Sequence, residues 1–166
     1  MIGPHEAKAR EALAKLKAAG MMVAAAESCT GGLVAGALTD VPGSSAVFER
    51  GFVTYSNDAK IQLLGVNPDS IAEHGAVSEV VARAMAEGAL AAAPVDVAVA
   101  VTGVAGPGGT PAKPEGLVHF AMARKGLRTR ALYREFGPRG RLAVRWASVE
   151  LALDLLIAAA DREEDG

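Results

Sequence analysis

A single cysteine among 166 residues, Cys29, rules out a disulfide within the chain. Aromatic residues are scarce at 4%, and alanine fills 35 positions, which favours helices packed closely on their neighbours. No apolar run reaches the roughly 18 residues of a membrane-spanning helix. The opening MIGPHEAKAREALAKLK interleaves charge with alanine and lacks the apolar centre of a signal peptide, so a cytoplasmic location is expected. Basic residues are not in excess. The 17 Lys and Arg against 19 Asp and Glu leave a net charge of −2, which argues against broad binding to nucleic acid or anionic membranes but leaves room for a local basic pocket. The three histidines, His5, His74 and His119, form no H-x-x-x-H and have no cysteine pair beside them, so no metal is expected.

What is present is ordinary globular chemistry, 51% apolar and 22% charged, in a length that suits one domain over residues 1–166. Hydrophobic spacing predicts helices over 4–19, 33–39, 68–73, 79–92 and 141–161, and one from Asn57, as its cap, to Gly65. Strands are expected over 21–26, 48–55, 96–102, 117–124 and 127–136, the last two as a hairpin turning at Lys125-Gly126. Leu142, Trp146, Val149, Leu153 and Leu156 step by four and three along the last helix and mark its buried face. Residues 162–166 read as a frayed acidic tail. Alternating helices and strands argue for a three-layer α/β/α sandwich, and the late hairpin makes its sheet mixed.

Three loops could carry chemistry. Glu27-Ser28-Cys29-Thr30-Gly31-Gly32 follows the first strand and opens a helix, the place where α/β sheets bind ligands. Gly31 and Gly32 let backbone amides approach an anion there. Ser28 needs a base to act as a nucleophile, no G-x-S-x-G elbow surrounds it, and Ser28 and Thr30 would serve equally well as helix caps. Cys29 is a rival nucleophile, although no histidine has a recognisable spacing to it and a lone thiol is commonly a small buried apolar group. In Tyr55-Ser56-Asn57-Asp58-Ala59-Lys60, Lys60 falls in the first turn of a helix, against its dipole. That dipole is worth about 0.3–1 kcal/mol, less than one pKa unit, so a neutral lysine would need burial as well; the alternative is a solvated surface lysine.

The third loop, Thr102-Gly103-Val104-Ala105-Gly106-Pro107-Gly108-Gly109-Thr110-Pro111, nearly copies G-x-x-x-x-G-K-[ST], but Gly109 stands in the lysine position and the nucleoside-triphosphate reading fails. It also lacks G-x-G-x-x-G opening a helix. What is left is a long turn, or a loop that presents amides to a phosphate or carbonyl oxygen. Arg141 and Arg145, one turn apart at the start of the last helix, share a face that suits a phosphate monoester or solvent.

Five segments in order resemble the CinA C-terminal domain family, the nicotinamide-nucleotide amidohydrolases or NMN deamidases. They are Ala26-Glu27-Ser28-Cys29-Thr30-Gly31-Gly32, Val41-Pro42-Gly43-Ser44-Ser45, Gly51-Phe52-Val53-Thr54-Tyr55-Ser56-Asn57-Asp58-Ala59-Lys60, Gly75-Ala76-Val77-Ser78 and Thr102-Gly103-Val104-Ala105-Gly106-Pro107. The resemblance spans residues 5 to 160 and implies hydrolysis of the nicotinamide amide of NMN to nicotinate mononucleotide and ammonia, in pyridine-nucleotide recycling, with no metal or cofactor. It implies Ser28 as nucleophile, Lys60 as its base and Tyr55 positioning or relaying the proton, with the oxyanion held by amides of Gly31-Gly32 or Thr102-Gly103. Thr30, Gly31, Gly32, Ser44, Ser45, Thr102, Gly103, Gly106, Arg141 and Arg145 would bind the pyridine mononucleotide. A homodimer is expected, as is the absence of the N-terminal molybdopterin-binding-like domain of larger members. The family usually has Gly-Asp-Arg before the last helix, where Arg139-Gly140-Arg141 lacks the acid. The alternative is a non-catalytic competence or DNA-damage binding or adaptor module of the same fold. The charge of −2 gives direct DNA binding no support, and the Ser28, Tyr55 and Lys60 set favours the enzyme.

Overall fold

The computed structural model describes residues 3–161. In chain order these form α1 (Glu6–Ala18), β1 (Val23–Glu27), α2 (Leu33–Thr39), a 3-10 turn (Ser44–Ala46), β2 (Phe48–Val53), α3 (Asn57–Leu64), α4 (Pro68–His74), α5 (Glu79–Ala92), β3 (Val97–Gly103), β4 (Leu117–Arg124), β5 (Arg130–Glu135) and α6 (Arg141–Asp161). The order is the one the sequence predicts, and the acidic tail at 162–166 lies outside the described residues. Local details differ: β2 stops at Val53, short of Tyr55, and β5 covers Arg130–Glu135 within the expected 127–136. Asn57 is already helical, and the cap is Ser56, whose extended backbone (φ −94°, ψ 162°) lets its hydroxyl accept the Ala59 N–H at 3.0 Å. Met21 and Met22 precede β1, where the Asp96 carboxylate accepts the Met22 N–H at 2.9 Å. Leu142 is 60% exposed and lies off the buried face of α6.

The five strands form one mixed sheet in the order β2-β1-β3-β4-β5. β1 runs parallel to β2 and β3, while β4 and β5 are antiparallel to their neighbours. The period of two along each strand separates two cores. One face presents Val97, Val99, Val101, Val118, Phe120 and Met122 to α1, α2 and α6. The other is paved with Ala24, Ala26, Ala98, Ala100, Ala121 and Ala123, on which Val81, Met85 and Ala89 of α5 pack. The alanine excess and the shortage of aromatics thus have a place: short side chains let α5 lie close to the sheet.

Both open edges are blunted. In β2 the register slips between the Val23–Phe48 and Ala24–Arg50 pairs, which leaves Glu49 bulged and ion-paired to Arg50. β5 carries exposed Arg130, Arg134 and Glu135. No described helix is long and apolar enough to cross a membrane.

The chain leaves β1 for β2 on one side and returns past it to β3 on the other, so the strand order reverses at β1. The parallel strands β2, β1 and β3 all end at one edge of the sheet, where such a reversal opens a crevice.

Close packing of α5 on α3 gives a direct test. A Cβ on Gly88 would lie 2.0 Å from the Leu64 carbonyl oxygen, a backbone atom that cannot step aside. Gly88→Ala should destabilise the fold by about 1–3 kcal/mol, seen as a lower urea midpoint at unchanged slope. An unchanged midpoint would show that the two helices do not touch there.

Candidate active site

Ser28 is the first residue past β1 and still belongs to the ladder, donating its N–H to Val101 O at 2.9 Å. Thr54 does the same past β2, donating to Glu27 O at 2.8 Å. These bonds set the ends of three parallel strands side by side. From the first turn of α3, Lys60 reaches back under this edge. Its Nζ lies 3.0 Å from Ser28 Oγ and donates to Thr54 O at 2.8 Å.

Lys60 is 1% exposed and Ser28 8%. Burial pushes the Lys60 amine below its ordinary 10.5, against a smaller upward pull from Cys29. A neutral amine can keep an N–H on Thr54 O while its lone pair accepts the Ser28 hydroxyl proton. Cys29, next along the chain, is in the opposite condition. Burial raises its thiol to about 12, and no histidine lines the site to relieve it.

Ser28 and Lys60 open into a cleft of about 360 Å³ shared with Tyr55, Thr102, Gly106 and Arg141. Arg141 ties the mouth together. Its Nη1 donates to Gly106 O at 2.6 Å and its Nη2 to the hydroxyl of Tyr55, a residue that is 59% exposed. Thr102 Oγ1 donates to Ala76 O at 2.9 Å, joining β3 to the segment before α5. Gly103 also lines the cleft, and so does Asn57, freed by Ser56 from capping duty.

Other expected residues lie elsewhere. Ser44 and Ser45 sit just before β2, at the opposite end of the sheet, where Val23 N–H meets Val47 O at 2.8 Å. Ser44 borders a separate hollow beside Arg10 and Leu13 of α1. The connection through α2 runs the length of the sheet and carries them away from Ser28. Arg145 does not line the cleft. It is partly buried behind the Ser28 turn, with Nε on Cys29 O at 3.1 Å and Nη2 on Thr30 O at 3.2 Å. Thr30 is fully buried, and its hydroxyl has no partner among the described residues. The Gly31 and Gly32 amides are already engaged, to Ser28 O at 3.0 Å and to Glu27 Oε1 at 3.2 Å. Gly140, in the position of the missing acid, has a φ of +98° and offers its carbonyl to Val144 N–H at 3.0 Å in the first turn of α6.

Glu27 is the important residue that motif reading missed. It is 1% exposed, and its carboxylate accepts N–H bonds from Gly32, Val34 and Ala35 at 3.2, 2.9 and 3.0 Å. A strand-end side chain thus caps α2, whose own N-cap, Gly32, has none to offer and whose first turn holds no acid. The signal was available: a helix opening on Gly31-Gly32 without a cap, five residues after a lone acid in an apolar strand.

The Thr30 hydroxyl yields a prediction. An unpaired buried hydroxyl is a net cost, so Thr30→Val should raise the unfolding free energy by about 1 kcal/mol and leave ligand binding at the cleft unchanged. Weaker ligand binding would return the Thr30 hydroxyl to the site.

Comparison with known proteins gives the family. The CinA C-terminal domain model matches residues 5–160. A competence/damage inducible protein from Agrobacterium tumefaciens superposes with a TM-score of 0.93 at 47% identity, over 98% of this chain and 99% of that one. One from Klebsiella pneumoniae gives 0.92 at 34% identity, over 98% and 100%. The nicotinamide-nucleotide amidohydrolase PncC of Escherichia coli K12 is 61% identical over 109 residues, 65% of this chain and 66% of that protein. A putative competence-damage inducible protein of Symbiobacterium thermophilum is 59% identical over 128 residues, and the match spans only 30% of its length. The chain belongs to the CinA C-terminal domain family.

Proposed function

We propose that this chain hydrolyses the nicotinamide amide of NMN to nicotinate mononucleotide and ammonia, by serine–lysine chemistry that needs no metal, within pyridine-nucleotide recycling. The observation that carries the reading is the buried Lys60 Nζ, 3.0 Å from Ser28 Oγ at the floor of the cleft. A lysine held out of water without a carboxylate partner costs stability, so its return is sought in chemistry. The name of the Escherichia coli relative supports the substrate.

Ser28 Oγ forms a bond to the amide carbon while the carbonyl electron pair moves onto oxygen, and Lys60 takes the hydroxyl proton. Collapse breaks the carbon–nitrogen bond. Lys60 returns the proton to the leaving nitrogen, which departs as ammonia. Water, deprotonated by the same amine, then cleaves the nicotinoyl ester and restores Ser28. Tyr55 and Arg141 stand at the mouth, where the guanidinium supplies the charge for a 5′-phosphate and the phenol, held by it, orients the ring end.

Ammonia release from NMN by the purified protein is the primary test; none in any buffer from pH 6 to 10 would reject the reading. Lys60→Ala should lower kcat by about 10²–10⁴-fold. Ser28→Ala should do at least as much, and the double variant should be little worse than either, because the two act as a unit. Cys29→Ala should be nearly silent; a dead Cys29→Ala beside an active Ser28→Ala would move the nucleophile to the thiol.

The depressed Lys60 pKa fixes two signs. Activity falls as pH drops through that value, because the amine protonates. Stability falls in the same direction: between the unfolded value of 10.5 and the folded one, the unfolded chain binds more protons, so wild type gains on Lys60→Met as pH rises. A difference between the two proteins that is flat with pH would mean that Lys60 is not buried neutral.

Arg141→Ala should raise KM for NMN by about tenfold or more, the scale of a hydrogen bond to a charged group, and raise that for the phosphate-free riboside less, through the loosened Tyr55 alone. Equal effects on both substrates would remove the phosphate role.

A further inference from the structure

The turn that carries Ser28 is held from outside the cleft. Arg145, one helical turn into α6, places two donors of its planar fork on successive carbonyls, Nε on Cys29 O at 3.1 Å and Nη2 on Thr30 O at 3.2 Å. Gly31 makes room for it: a Cβ there would lie 3.2 Å from Arg145 Nη2, and the φ of +58° suits glycine. The peptide bonds of the turn are trans, so each N–H points opposite to the carbonyl of its own unit. With Cys29 O drawn to Arg145, the Thr30 N–H is directed away from the guanidinium.

The Gly31 N–H is taken by Ser28 O, that of Gly32 by Glu27, and that of Leu33 by Thr30 O at 3.0 Å. The Cys29 N–H meets only its own thiol, a weak acceptor, and that of Thr30 has no acceptor among the described residues. Both residues are buried, Cys29 at 5% and Thr30 at 0% exposure, and buried amides rarely go unpaired. Two successive amides without an oxygen acceptor, directly after a serine nucleophile, are the donors an acyl-transfer oxyanion needs.

We propose that Arg145 is a positioning residue that assembles the oxyanion site of Ser28. By holding the Cys29 carbonyl, it turns the Thr30 amide to the oxygen of the tetrahedral adduct, beside the amide of Cys29, and it polarises the Cys29–Thr30 peptide so that the Thr30 N–H donates more strongly. The inference rests on Ser28 as the acylated nucleophile. It gives Arg145 a part in charge stabilisation, not in phosphate recognition, and it assigns the oxyanion to the amides of Cys29 and Thr30 in place of those of Gly31-Gly32 or Thr102-Gly103.

The test compares wild type, Arg145→Ala and Arg145→Lys in three measurements: the burst of Ser28 acylation by 4-nitrophenyl nicotinate, KM for NMN and for its riboside, and recovery by added guanidinium ion. Arg145→Ala should slow acylation by about 10²–10³-fold, the loss seen when an oxyanion donor is removed. Both KM values should stay within about threefold, since the contact acts on the adduct and not on the bound substrate. Guanidinium should restore part of the rate to Arg145→Ala. Arg145→Lys, which keeps the charge without the fork, should recover only part of it and serves in its place if Arg145→Ala does not fold.

Acylation at the wild-type rate in either variant overturns the proposal. So does a KM for NMN that rises more than about tenfold while that for the riboside does not, the signature of a lost phosphate contact. A wild type that is acylated by the ester but releases no ammonia from NMN rejects the amidohydrolase reading alone, and the ester still decides the role of Arg145. A wild type acylated by neither overturns both.

Discussion

The burial of Lys60 is the constraint around which this domain is arranged. An amine taken out of water has to be neutral or well partnered, and here its partners are one hydroxyl and one carbonyl, with no carboxylate. That choice keeps the lone pair usable. A carboxylate within reach would have held the proton on the amine and ended its service as a base. The fold secures the site on both sides: the ladder bonds of Ser28 and Thr54 fix the two acceptors, and Ser56 fixes the turn from which the side chain extends.

The two faces of the sheet divide the work. The α3 side contributes the base. The α1, α2 and α6 side contributes the pieces that shape the serine turn, with Glu27 gathering amides at the start of α2 and Arg145 gathering carbonyls from α6. Opposite charges thus pull on neighbouring stretches of one turn, Arg145 on the Cys29–Thr30 and Thr30–Gly31 peptides and Glu27 on the Gly31–Gly32 peptide and the first turn of α2. Ser28 sits between them on the sheet itself, the most rigid layer available, where a displacement of even an ångström would be costly.

Much of this was legible in the sequence, and the limits have physical causes. Strand runs such as DVAVAVT and the stepped leucines of α6 announce themselves because burial imposes a period on local residues. The placement of Ser28, Tyr55, Lys60 and Thr102 together could be read because loops that follow parallel strands share one edge of the sheet. Ser44 and Ser45 lie at the other end of the sheet, and a motif could not show this because it records order along the chain and not which end of a strand it precedes. Arg145 shares a helical face with Arg141, yet one guanidinium meets solvent at the cleft mouth and the other meets carbonyls across a 116-residue separation. Helical periodicity carries no information about what stands opposite a face. Ser56 and Asn57 are both good caps, and only the backbone angles decide between them.

The alanine floor beneath α5 has a consequence for substitution. At Ala98, Ala100, Ala121 and Ala123 almost every substitution adds volume, and the facing helix is already close. The valine, phenylalanine and methionine face can exchange volume in either direction among its neighbours. Added volume is therefore better absorbed on the side of the sheet that carries Arg145. The side that carries Lys60 has little room for it, so the base is anchored in the half of the molecule that yields least to a larger side chain.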